Sequence, residues 1–271
     1  MPRMNLQGAS AIVTGGASGI GEESARQLAA LGARVVIADL QDERGQMVAS
    51  DIGGIFVKCD VSNEVAVQAA VAAAIAHYGR VDVLLSNAGF GATELDLDDA
   101  LAESNEVWAR MWHVHVMAHV YASRAVLPGM LERGEGYLVN VASAAGLLCQ
   151  VGDAAYSATK HAAVGLAESL AITYGERGVR VSVVCPQYIA TAITGLDEKL
   201  PADAPPGLLS VEQAATAIVD GLEAEQFLLL THPEVLTFFQ RKAADYDRWV
   251  GGMRRLRSGL RKGAGFLKVR Q

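Results

Sequence analysis

The sequence predicts an α/β protein built on a doubly wound, seven-stranded parallel sheet with helices on both faces. Three observations carry this expectation. Seven short runs rich in Val, Ile and Leu lack the apolar–polar alternation of half-exposed strands, so they read as strands buried on both faces. Helical patterns lie between them, as crossovers between parallel strands require. The first run passes directly into TGGASGIG (14–21), a glycine-rich turn that opens a helix.

In chain order the strand segments are SAIVT (10–14), RVVIA (34–38), IFVK (55–58), DVLLS (82–86), YLVNVA (137–142), VRVSVVC (179–185) and QFLLL (226–230). The helix after the first turn carries an apolar stripe of Ala25, Leu28, Ala29 and Leu31 and is closed by Gly32. No linker divides the chain, so residues 1–271 are expected to form one domain. The long irregular stretch 193–210, interrupted by Pro201, Pro205 and Pro206, reads as a substrate lid. Residues 231–271 read as a basic helical C-terminal extension, with Leu236, Phe239, Trp249 and Met253 placed for packing.

Composition narrows the class of protein. With 271 residues, 51% of them hydrophobic, a sizeable core can be buried. No apolar run approaches the roughly 18 residues of a membrane span, and MPRMNLQGAS lacks the apolar centre of a secretory signal. Cys59, Cys149 and Cys185 are too scattered for a disulfide framework or a zinc cluster. The expected location is the cytoplasm. The formal charge is −7, yet residues 241–271 hold ten Lys/Arg against Asp245 and Asp247. Neither interleaved aromatics nor a nucleic-acid motif accompanies that charge, so a solvated helix face is expected rather than a nucleic-acid partner.

The glycine turn points to a dinucleotide. Gly15, Gly19 and Gly21 let the backbone turn tightly and approach a pyrophosphate, whose charge the following helix N-terminus favours. Ser18 and Ile20 lie in the same turn. The second strand ends in Asp39, whose carboxylate suits ribose hydroxyls and repels a 2′-phosphate. No Lys or Arg lies within the turn or next to Asp39, so NAD is expected over NADP. A helix cap is the local alternative for Asp39. Asp60-Val61 and Asn87-Ala88-Gly89 follow the third and fourth strands; each is either a simple turn or an adenosine contact.

Ser143 follows the fifth strand, and Tyr156 and Lys160 lie one helical turn apart in YSATK. An isolated tyrosine is a poor base near neutrality, with a pKa of about 10. A nearby ammonium and an oxidised nicotinamide would stabilise its phenolate. Ser143 would hold the substrate oxygen while a hydride passes between substrate carbon and nicotinamide.

TGGASGIG, SNAG, Ser143 and YSATK, at these separations, resemble the short-chain dehydrogenase/reductase family from about Leu6 to Leu230. That resemblance implies a Rossmann-type fold with Tyr156 as general acid/base and Ser143 positioning the carbonyl oxygen. It further implies that Lys160 binds the nicotinamide ribose, that Pro186, Ile189 and Thr191 border the carboxamide, and that the chain forms a homodimer or homotetramer. Ser86 stands where the family usually has asparagine, and Gln187 where it usually has glycine.

Three histidines fall within HVHVMAH (113–119). His115 lies nine residues before Arg124, where the family carries an asparagine that holds a relay water. A neutral imidazole also binds water, so His115 reads either as a relay that adds a titrating group or as a packed side chain. His113 and His119 are expected to be structural. HExxH spacing and a third ligand are both missing, so no metal site is expected. Leu147, Leu148, Val151, Tyr188, Ile193 and Leu196, with Gln150 and Gln187, read as substrate neighbours. They carry no cation, so an uncharged, fairly hydrophobic secondary alcohol or ketone is expected. The competing readings are a catalytically silent dinucleotide sensor or scaffold, a carbonyl reductase using NADPH, and nucleic-acid or membrane association through the basic tail.

Overall fold

Seven parallel strands make one sheet in the computed structural model, which describes residues 5–91, 95–196, 200–201 and 203–262. They are β1 (Ser10–Thr14), β2 (Arg34–Asp39), β3 (Ile55–Lys58), β4 (Val83–Ser86), β5 (Gly136–Val141), β6 (Val179–Val184) and β7 (Leu228–Leu229). Every residue of β1, β4 and β5 is buried, which is why these segments show no alternation. The order is β3-β2-β1-β4-β5-β6-β7. It reverses between β1 and β4, and in such sheets the crevice at that reversal is the ligand-binding edge.

The helices are α1 (Gly19–Ala30), α2 (Asp42–Asp51), α3 (Glu64–Tyr78), α4 (Asn105–Trp112), α5 (Ala118–Arg133), α6 (Ala154–Tyr174), α7 (Val211–Glu223), α8 (Glu234–Ala244) and α9 (Tyr246–Arg261). A π-helical turn, His113–Met117, joins α4 to α5. Leu84 and Leu138 pack on one face of the sheet with Ala74 of α3, Met130 of α5 and Ala163 of α6. On the other face Val13, Leu85 and Val139 meet Leu28 of α1, Val48 of α2 and Ile218 of α7. Neighbouring β-residues therefore feed opposite cores, as the period of two demands. Among the described residues no helix is long and apolar enough to cross a membrane.

The C-terminal helices pack in a register different from the expected one. Val235 is fully buried and Phe238 packs against the core, whereas Leu236 and Phe239 are 43% and 36% exposed. Because α8 starts at Glu234, behind Pro233, its inner face runs through 235, 238 and 242 at helical spacing. Trp249 does pack on the same core. Leu147 and Leu148 also lie in that core rather than facing a cleft. Residues 197–199 and 202 of the expected lid, and 263–271 of the extension with Lys268 and Arg270, lie outside the described residues.

Candidate active site

The C-terminal strand ends gather the nucleotide candidates. Gly15 takes φ +65°, and a Cβ there would sit 2.8 Å from the Ala88 Cα. A Cβ on Gly21 would lie 2.1 Å from the Gly15 carbonyl oxygen. The turn thus closes on itself and on the β4 loop without room for side chains. Ser18 stands at the N-cap of α1, but its hydroxyl makes no capping bond there, so it does not occupy the helix's first amides. Ile20 packs partly between cores, and Gly19 opens α1. A glycine cradle at a helix N-terminus fits a dinucleotide pyrophosphate.

Asp39 is 7% exposed; its Oδ2 accepts from Ala17 N at 3.0 Å and its Oδ1 from Gln41 N at 3.0 Å. The N-cap of α2 is Gln41, so Asp39 ties the glycine turn to β2 instead of capping that helix. Asp60 closes a local turn by accepting from Ser62 N (2.9 Å) and Ser62 Oγ (2.7 Å), above a buried Val61. Asn87 donates from Nδ2 to the carbonyls of Thr14 (3.1 Å) and Gly15 (3.2 Å), while Thr14 Oγ1 accepts from Asn87 N (3.0 Å) and Ala88 N (3.2 Å). Thr14 is a partner that sequence reasoning passed over, because nothing local marks a strand threonine as a clasp between loops.

Ser143, Tyr156, Lys160 and His115 come together at the centre of this edge. Asp153 caps α6 by accepting from Tyr156 N at 2.8 Å, fixing the first turn of the helix that carries Tyr156 and Lys160. The D-x-x-Y spacing could have disclosed this cap. Ser143 follows β5; Ala144 N donates to Pro186 O at 2.7 Å, and Ser143 Oγ to the same oxygen at 3.5 Å, joining the β5 and β6 loops. Lys160 Nζ donates to Val141 O at 3.3 Å and lies 5.5 Å from the Tyr156 ring centre. A Cβ on Gly89 would stand 3.6 Å from that ammonium. Ile189 and Ala190 run into Thr191, which forms a reciprocal cap with Thr194. Ser86 is buried within β4 beside Asn140 of β5. Gln187 Oε1 is buried without a hydrogen-bond partner among the described residues.

Burial dominates the electrostatics. It pushes the Tyr156 phenol up, with a hydrogen bond to Ser143 opposing. In the protein alone the phenol thus lies above its ordinary value, not below it as the neighbouring lysine was expected to bring it. The Lys160 ammonium is pushed down to about 8, again by burial.

The histidines separate. His113 is exposed and bonds Ala109 O through Nδ1 at 2.7 Å. His115 is fully buried in the π-helical turn, packed edge-on against Tyr156 at 5.5 Å between ring centres. Its Nε2 accepts from Phe90 N at 3.2 Å, so Nδ1 carries the proton and donates to Thr159 Oγ1 at 3.0 Å. Thr159 in turn donates to Ala155 O at 2.9 Å. His119 is 1% exposed, with neither ring nitrogen hydrogen-bonded among the described residues. Among the described residues no group of three His, Cys, Asp or Glu is placed to hold a metal ion.

Burial, then the Lys160 charge, holds His115 down at about 2 and His119 at about 3. Both stay neutral through the physiological range, and unfolding returns them to an ordinary pKa of 6.5. Their contribution to stability is therefore complete above pH 6.5 and lost as pH falls below it. The expected slope is about 1.4 kcal/mol per pH unit for each histidine. His119→Leu should roughly halve the part of the melting-temperature loss between about pH 6.5 and 4.5 that these two imidazoles cause. An unaltered acid profile in that variant would contradict the assignment.

Fold and site together define a Rossmann-type α/β domain bearing a serine–tyrosine–lysine set at its sheet reversal. The family model for short chain dehydrogenases matches residues 9–200, and the chain belongs to that family. It is 36% identical over 194 residues to the mitochondrial borneol dehydrogenase of Lavandula x intermedia, covering 71% of this chain and 74% of the relative. To short-chain dehydrogenase reductase 3a of Arabidopsis thaliana it is 38% identical over 229 residues, covering 82% and 85%. A short-chain dehydrogenase/reductase from Burkholderia phymatum, solved in complex with NAD, superposes with a TM-score of 0.80 at 29% identity. That match covers 90% of this chain and 96% of the solved one.

Proposed function

We propose that this protein is an NAD-dependent oxidoreductase that moves a hydride between the cofactor and an uncharged, fairly hydrophobic secondary alcohol or ketone. One observation carries the reading: Tyr156 and Lys160, one turn apart on α6, share the ligand edge with Ser143 and the glycine cradle. NAD(H) would lie from Asp39 past Gly15, Gly19, Gly21 and Asn87 to Ile189 and Thr191, supplying nicotinamide C4 as hydride acceptor or donor.

The chain's own groups handle oxygen and proton. Ser143 donates a hydrogen bond to the substrate oxygen, and Tyr156 takes the alcohol proton or returns it to the ketone oxygen. Lys160, anchored on Val141 O, presents positive charge beneath the phenol and to the nicotinamide ribose. His115 acts as a positioning residue: both its nitrogens are engaged by Phe90 and Thr159, which leaves no site on the ring for a relay water. The relative named for borneol, an uncharged secondary alcohol, supports the substrate class. The solved neighbour in complex with NAD supports the cofactor.

A panel of secondary alcohols and ketones, assayed with NAD(H) and NADP(H) by nicotinamide absorbance, tests the reading. Turnover preferring NAD is expected; turnover preferring NADP refutes the role given to Asp39. Bound NADH without turnover on any member would favour the silent sensor. Asp39→Ala should lower the NAD/NADP preference by on the order of tenfold, since a carboxylate repelling the 2′-phosphate is gone. It should also lower the melting temperature, because Ala17 N and Gln41 N lose their acceptor.

A further inference from the structure

Lys242, on α8, is a lysine only 6% exposed that touches no carboxylate among the described residues. Its Nζ donates to the Leu147 carbonyl at 2.6 Å and lies 3.3 Å from His161 Nε2. His161 Nδ1 lies 2.8 Å from Ser157 O, an acceptor only, so Nδ1 carries the proton and Nε2 accepts from the lysine. The Tyr246 ring, one turn on, is 5.3 Å from the ammonium. A buried cation held by a carbonyl, an imidazole and a ring face is costly to place without a structural return.

The carbonyl it holds belongs to the loop that follows Ser143. Leu147 ends the short 3-10 turn Ala144–Gly146, for which Ser143 is the N-cap residue. Two residues on, Cys149 adopts φ +109°, a conformation that side chains rarely take. Such a residue persists only where its surroundings hold it. Ser157 supplies one hold, accepting from Gln150 N at 2.8 Å. Asp96 N supplies another, donating to Gly152 O at 3.1 Å. The segment containing Asp96 is itself bound by α9: Arg257 donates to Leu97 O, and Arg261 pairs with Asp98 at 3.0 Å. Both C-terminal helices therefore reach residues that flank the candidate site, one through Lys242 and one through Arg257 and Arg261.

We infer that Lys242 is a positioning residue which, through the Leu147 carbonyl, sets the 144–152 loop beside Tyr156. The consequence for substrate rests on the oxidoreductase reading above; the consequence for the loop does not. Met at this position keeps the length of the side chain and removes the ammonium. Lys242→Met should raise the substrate KM about tenfold, the scale of one lost charge-assisted hydrogen bond, with kcat changing less. NAD affinity should stay within about twofold, because the cofactor edge is not held by this contact.

Hydrogen exchange read by mass spectrometry on the wild type and the variant, without substrate, provides the independent measurement. Amides of 144–152 should exchange on the order of tenfold faster in Lys242→Met, while β1 and α1 remain as protected as before. Arg254→Ala, on the exposed face of α9, is the control and should leave both readouts unchanged. If Lys242→Met does not fold, the same comparison on Lys242→Gln, which keeps an N–H donor on a shorter side chain, should show the same local loosening. Uniformly faster exchange, or unchanged loop exchange with an unchanged KM, overturns the inference and makes Lys242 a general support. Absence of turnover in the wild type would count against the oxidoreductase reading alone, since the exchange comparison still decides the position of the loop.

Discussion

Tyr156→Phe should lower kcat by roughly 10²–10⁴-fold while leaving NADH affinity within about twofold. The substitution removes one oxygen from a half-buried ring and keeps the ring's packing against His115. On the proposed mechanism, what is lost is the group that exchanges a proton with the substrate oxygen. His115 offers no substitute: it is held at about 2 and has both nitrogens engaged. Ser143 lacks an adjacent base, its oxygen accepting from Ala145 N at 3.1 Å. The check is steady-state kinetics on a working substrate together with NADH fluorescence titration. Turnover that survives the change would remove Tyr156 from the mechanism.

Lys160→Met should separate activity from stability in opposite directions. Turnover should fall by about 10²-fold or more, because the phenol loses the positive charge that favours its ionised form. The cofactor-free protein should become more stable at neutral pH. Lys160 is 4% exposed, and burial brings it down to about 8 from an ordinary value of 10.5. Below about pH 8 both folded and unfolded chains carry the proton, and the wild type bears the full cost of burying it, on the order of 3 kcal/mol. Between 8 and 10.5 the folded chain sheds the proton first, so that cost fades as pH rises. The variant should therefore melt several degrees higher near pH 7, with the gap closing toward pH 10.5. Equal melting temperatures at neutral pH would show that the buried ammonium carries no such burden.

The two outcomes describe one site from different sides. The group proposed to support proton transfer is also one the fold tolerates at a cost, as is common where titrating residues are desolvated for function. The π-helical turn His113–Met117 sits at the same place and presents His115 to Phe90 and Thr159. Irregular helical turns of this type often occur at functional sites.

Much of this was legible from residue order. Six of the seven strands lie within one residue of their expected ends, because a strand buried on both faces leaves an unbroken apolar run. The exception, QFLLL, is reduced to Leu228–Leu229 at the sheet edge, where only β6 offers a partner. The glycine turn was readable because its spacing answers to backbone geometry. Its role as a cradle for the β4 loop was not, since the Gly15–Ala88 approach joins residues far apart in the chain. The packing face of α8 was misplaced by one residue, because two adjacent apolar pairs, Val235–Leu236 and Phe238–Phe239, allow either register until a core stands beneath them.

Residue order alone established the parallel α/β fold, the family and the grouping of Tyr156 with Lys160. Each rests on a periodicity or spacing short enough to be written within one element or one turn. Tertiary structure alone decided that His115 is saturated by Phe90 and Thr159, that Asp39 clasps Ala17, and that Lys242 reaches across to Leu147. The physical reason is the same in each case: a hydrogen bond depends on where two atoms meet in space, and these partners lie 22 to 95 residues apart in the chain.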